Sequence, residues 1–143
     1  MAQQKKELNE KSKEKEQGDC IFCKIARKDV KSEILYENEN YLAFLDINPS
    51  NPGHTLVIPK KHYVNALDTP DDVISGMINV AKRVALNQIK HLKAEGFNIW
   101  INNFPAAGQV IFHVHLHVVP RFQGDGLRIT RVKEDRAEEK EKK

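Results

Sequence analysis

The chain has little of what marks a membrane, secreted or nucleic-acid-binding protein. No apolar run approaches the ~20 residues that a membrane-spanning helix needs, so no membrane partner is expected. The first residues lack the apolar stretch of a secretion signal. Only two cysteines occur, Cys20 and Cys23. Their spacing suits metal binding and a reducing compartment, so the cytoplasm is the expected location. The 23 basic and 20 acidic residues leave a net charge of only +3 and are mixed along the chain. No basic block points to nucleic acid as a partner. There is no internal repeat.

A chain of 143 residues accommodates one domain, two at most. Residues 1–18 and 133–143 are so rich in charge that they bury too little apolar surface to offset ordering entropy. They are expected to be flexible charged tails around one folded domain, residues 19–132.

Within that domain, residues 22–28 suit one or two helical turns. Short strands are expected at 33–37, 41–46 and 54–58, the last stopping at Pro59. Two prolines and a glycine make 48–53 a loop. A long helix should start with Thr69 as N-cap, Pro70 at the first helical position, and Asp71 and Asp72 at its positive end. Ile74, Met77, Ile78, Ala81, Val84, Ala85, Ile89 and Leu92 recur at helical steps, and Gly96 is the expected stop. Residues 97–102 and 111–119 complete the strands. Short turns between strands imply antiparallel pairing, so the class is α+β.

The most informative stretch is His113-Val114-His115-Leu116-His117-Val118-Val119. In a strand, alternation puts three imidazoles on one face and three aliphatic side chains on the other. An imidazole near its ordinary pKa is a competent nucleophile at neutral pH, and a neighbouring one can stabilise negative charge. Gly108, just upstream, permits close backbone approach to a ligand. Backbone N–H groups of residues 106–109 can hold an anion. Three histidines on one face also suit a divalent metal. From spacing alone, covalent catalysis at phosphorus and metal binding stand level.

The run from Gly108 through His113-Val-His115-Leu-His117 to Arg121 resembles the motif of the histidine triad (HIT) family. Cys20-Ile-Phe-Cys-Lys-Ile25, Phe44-Leu-Asp-Ile47 and Pro52-Gly-His-Thr-Leu-Val-Ile-Pro-Lys-Lys-His62 resemble further family segments in the same order. The resemblance implies a five-stranded antiparallel sheet with one long helix and a short N-terminal helix. It implies a homodimer. It also implies a hydrolase that cleaves at the α-phosphate of a purine nucleoside phosphoramidate or dinucleoside polyphosphate and releases a nucleoside monophosphate. The alternative is a nucleotide-binding regulator whose slow hydrolysis is incidental.

Carried over residue by residue, the resemblance makes His115 the nucleophile that becomes nucleotidylated. His117 and Gln109 then contact phosphate oxygens, with Asn102 and Gly108 beside them. Asp46 takes the ribose hydroxyls. Ile21, Phe22, Ile25, Phe44 and Ile47 form the base wall, and His54 stands near the active site. Relatives that keep the cysteine pair imply a structural zinc on Cys20, Cys23, His62 and His113, and no organic cofactor. Val110 stands where some relatives carry Ser or Thr. Pro120-Arg121 replaces the Gly-Gly ending of the phosphoramidase branch.

Overall fold

The computed structural model describes residues 19–128. Both expected tails, and residues 129–132 of the expected domain, lie outside the described residues.

The elements are helix α1 (Ile21–Ala26), strands β1 (Ile34–Glu37), β2 (Tyr41–Leu45) and β3 (Thr55–Pro59), helix α2 (Asp71–His91), and strands β4 (Gly96–Ile101) and β5 (Leu116–Arg121). A single 3₁₀ turn, Pro105–Ala107, stands between β4 and β5. The five strands form one antiparallel sheet in the order β1-β2-β3-β5-β4. No helix among the described residues is long and apolar enough to cross a membrane.

Alternation along the strands gives the sheet two cores. On one face Ala43, Val57, Val114, Leu116 and Val118 pack against Met77, Val80, Ala81, Val84 and Ala85 of α2. On the other face Leu42, Phe44, Leu56 and Ile58 pack against Cys20, Phe22, Cys23 and Ile25 of α1. Each Val, Leu, Ile, Phe or Met side chain among them contributes about 1.5–3 kcal/mol when fully buried. Gly76 serves this packing. The Tyr41 hydroxyl crosses α2 there and donates to the Val73 carbonyl at 3.1 Å. A Cβ at position 76 would collide with the phenol.

Three expectations about elements need correction. First, β5 starts at Leu116, not at residue 111. Its neighbour β4 ends at Ile101, and the chain then turns through Phe104, whose φ of 72° is left-handed. Residues 111–115 have no β4 partner. Val114 N–H donates instead to the Tyr63 carbonyl at 2.7 Å. The alternation of faces still carries back through this segment, because Val114 belongs to the α2 core.

Second, Thr69 does not cap α2. Its hydroxyl donates to the Asn65 carbonyl at 2.7 Å, so Pro70 occupies the N-cap without a side-chain bond. Third, the helix stops before Gly96. Lys93 takes the left-handed conformation with φ 59°, and Gly96 opens β4. The expected apolar stripe is also only partly covered, since Ile78 and Ile89 of α2 and Leu92 just after it stay exposed.

Candidate functional site

A cleft of about 520 Å³ opens on the α1 side of the sheet. Cys20 starts α1 by accepting from the Cys23 N–H at 3.4 Å. That short helix then lays Phe22 edge-on against Phe44, with ring centroids 5.4 Å apart, and against His115 at 5.0 Å. Every residue expected at the nucleotide lines this cleft except His54 and Gln109. Ile47 is 89% exposed and stands at the rim, so it forms a wall only when a ligand covers it. Asp46 lines the cleft with one oxygen accepting from Asn48 N–H at 2.9 Å.

Hydrogen bonds assign the tautomers of the histidines. His115 Nδ1 lies 2.7 Å from the His113 carbonyl, which can only accept. The proton therefore sits on Nδ1, and Nε2 keeps its lone pair. His54 Nδ1 accepts from Ser50 N–H at 3.0 Å, so the His54 proton sits on Nε2. That Nε2–H donates to His117 Nδ1 at 2.9 Å. His117 is thereby a donor at its own Nε2, an atom that is buried and without a partner. An unpaired buried donor costs about 1–3 kcal/mol and calls for an explanation.

Burial lowers the pKa of all three rings. Desolvation is the main cause for His115 and His54. Desolvation, then the neighbouring His115 and His54, holds His117 down to about 3. At neutral pH the cleft therefore holds uncharged imidazoles: one with a free lone pair, the next with a free N–H.

Asp46, His54 and His117 also lie within ligating range of one another. They do not suit a metal. With His54 Nδ1 accepting from Ser50 N–H, His54 Nε2 carries the proton and has no lone pair to offer.

Gln109 lies where a phosphate contact was not expected to leave it. The residue is 3% exposed and does not line the cleft. The oxygen accepts from Phe104 N–H at 2.9 Å, and the nitrogen donates to the Val64 and Ile111 carbonyls at 2.6 and 3.1 Å. Gln109 braces the loop through these three bonds. The loop amides of Ala107, Gly108 and Gln109 are likewise committed to the Phe104 and Pro105 carbonyls. Gln109→Ala is expected to destabilise the fold by about 2–3 kcal/mol, because it orphans buried backbone groups. Urea unfolding measures this. A change below about 0.5 kcal/mol would mean the brace contributes nothing.

The second cluster is the one expected to hold a metal. Cys20, Cys23, His62 and His113 are all buried, and their ligand atoms lie within 4.8 Å of one another. His62 Nδ1 is 3.2 Å from Cys23 Sγ, and His113 Nδ1 is 3.4 and 3.5 Å from the two sulfurs. A tetrahedral zinc with ordinary Zn–S and Zn–N bonds has S···N edges of about 3.6 Å. His113 Nε2 donates to the Pro59 carbonyl at 2.8 Å, which leaves Nδ1 unprotonated for a metal. The Cys20 thiol is held far below its ordinary pKa, first by the Cys23 hydrogen bond and then by the imidazoles, against desolvation. The donor set fits a soft divalent ion.

The three histidines share one face of the chain but meet different surroundings along it. His113 joins the sulfur corner, while His115 and His117, 5.0 Å apart, share the cleft. Two contributors were missed at the sequence level. One is the Ser50 amide, which sets the His54 tautomer. The other is Trp100, stacked on His117.

Comparison with known proteins agrees with this geometry. Residues 27–124 match the HIT domain family. An uncharacterized HIT-like protein of Methanocaldococcus jannaschii is 49% identical over 107 residues, covering 75% of this chain and 82% of its own. The adenylylsulfatase HINT3 of Arabidopsis thaliana is 42% identical over 111 residues, covering 78% of this chain but 56% of its own. Among solved structures, a zinc-bound histidine triad family protein from Mycobacterium smegmatis superposes with a TM-score of 0.75 at 48% identity. That match covers 80% of this chain and 83% of the other.

Proposed function

The chain belongs to the HIT domain family, and from that premise we propose that it is a nucleotide hydrolase acting at the α-phosphorus of a purine nucleotide. The substrate class is a nucleoside phosphoramidate or a dinucleoside polyphosphate, and the product is a nucleoside monophosphate. The observation that carries this reading is the His113 carbonyl on His115 Nδ1, because it leaves Nε2 of a cleft-lining ring unprotonated.

The base rests on the Phe22 and Phe44 wall, and Asp46 accepts from the ribose hydroxyls. The His115 Nε2 lone pair attacks phosphorus. The N–P bond forms as the bond to the leaving group breaks, and that group leaves with the bonding electron pair and takes its proton from water. The nucleotidyl-imidazole carries positive charge, which the His113 carbonyl stabilises through the Nδ1–H bond. His117 Nε2–H donates to a phosphoryl oxygen and so gains the partner it otherwise lacks. Water then attacks phosphorus and releases a proton to solvent, the P–N bond breaks with its electron pair returning to Nε2, and His115 is again neutral with its proton on Nδ1.

The metal corner takes no part in these steps. Zinc held by Cys20, Cys23, His62 and His113 would supply a cross-link between α1, the segment after β3, and the triad segment. The two thiols form no disulfide, which suits the reducing cytoplasm. A homodimer through β4 is part of the same proposal. That strand ends the sheet, and Phe97 on it is 41% exposed.

The test is a substrate panel on purified protein: adenosine phosphoramidate, diadenosine tri- and tetraphosphate, and adenylyl sulfate, included because of the Arabidopsis relative's activity. The expected result is release of adenosine monophosphate, with one nucleotidyl group on the His115 peptide after a rapid acid-free quench. No monophosphate from any substrate, and no adduct, would remove the proposal.

A further inference from the structure

Trp100 is the only tryptophan of the chain, and no step of the hydrolysis above uses it. Strands β4 and β5 place it directly opposite His117. The two rings stack with centroids 4.8 Å apart and planes only 10° from parallel. His54 meets the same indole at 6.1 Å, tilted by 48°.

One hydrogen bond at His117 Nδ1 fixes a direction but not a plane. The imidazole can rock about its bond to His54 Nε2 without breaking it. Rocking would swing the opposite nitrogen, Nε2, across the cleft. A flat aromatic surface against one face of the ring removes that freedom. Such pairs contribute about 0.5–1.5 kcal/mol beyond their buried area. His54 and Trp100 together therefore define both the axis and the plane of His117.

We propose that Trp100 is a positioning residue: its indole, stacked on His117, holds that imidazole in the plane that aims Nε2–H at the phosphoryl oxygen. This rests on the reading of His117 as the donor to phosphate. Trp100 itself does not line the cleft.

Two variants separate stacking from bulk. Trp100→Leu keeps apolar volume without a flat face, and Trp100→Phe keeps the face. For Trp100→Leu, kcat should fall about 10- to 100-fold with KM within about twofold, since a misaimed donor weakens the transition state more than substrate binding. Trp100→Phe should stay within about threefold of the unchanged protein. Nitrogen–proton correlation spectra of the histidine rings supply a readout independent of turnover. His117 should keep its Nε2–H tautomer in all three proteins, because the His54 bond remains, but its Nε2–H resonance should be sharp in the unchanged protein and in Trp100→Phe and broadened by ring motion in Trp100→Leu.

Equal loss in both variants, or a rise in KM alone, would overturn the proposal. So would a His117 Nε2–H resonance in Trp100→Leu as sharp as in the unchanged protein. If the unchanged protein hydrolyses nothing, the hydrolase reading falls, and the ring spectra still decide whether Trp100 orients His117.

Discussion

His115→Ala is expected to lower turnover on the best substrate of the panel by at least about 10³-fold, with the fold and the metal content unchanged. Loss of a covalent nucleophile removes a reaction path rather than weakening one contact, and effects of this order follow when such residues are deleted. The ring packs edge-on against Phe22, so its removal leaves a small void beside α1. That void should lower stability by only about 1–3 kcal/mol. Metal content is the control, because His115 does not belong to the buried Cys–His cluster. Quenched-flow assay with intact-mass detection of the adduct measures the effect. Turnover within about tenfold of the unchanged protein would assign the chemistry elsewhere.

Cys23→Ser is expected to abolish metal binding and to lower Tm by more than about 10 °C, or about 3 kcal/mol for a domain of this size. The Cys23 sulfur meets both His62 and His113, so it joins α1 to two distant parts of the chain. Without the metal, two buried imidazoles and one thiol are left crowded with no charge to share. The functional consequence follows from α1. Its Ile21, Phe22 and Ile25 line the cleft, so KM should rise as well. Emission spectrometry for zinc and thermal unfolding with and without chelator measure both parts. A protein that purifies without metal, or an unmoved Tm on chelation, would refute the structural-zinc reading.

Much of this arrangement was legible in the residues. The His-x-His-x-His alternation survives in space although half of it lies outside β5, because Val114, Leu116 and Val118 still seek the α2 core. The four metal candidates meet as the family resemblance implied. What stayed illegible depends on partners distant in sequence. Gln109 is drawn inward by the Val64 carbonyl, which no local pattern announces. Thr69 looks like a helix cap until the Asn65 carbonyl takes its hydroxyl. Trp100 meets His117 only through the register of β4 on β5, and strand register cannot be read from either strand alone. A tryptophan two residues before Asn102, at the same strand parity as that cleft residue, was the one available signal.

His113 belongs to both clusters at once. Its imidazole faces the two sulfurs, while its carbonyl oxygen holds the proton on His115. Damage to the sulfur corner therefore reaches His115 through one residue's main chain. A genetic screen that scores activity alone would group Cys20, Cys23 and His62 with His115, although in the proposed reaction only His115 would touch phosphorus. Position 113 is pleiotropic by construction, and selection on it cannot tell a lost scaffold from a lost reaction.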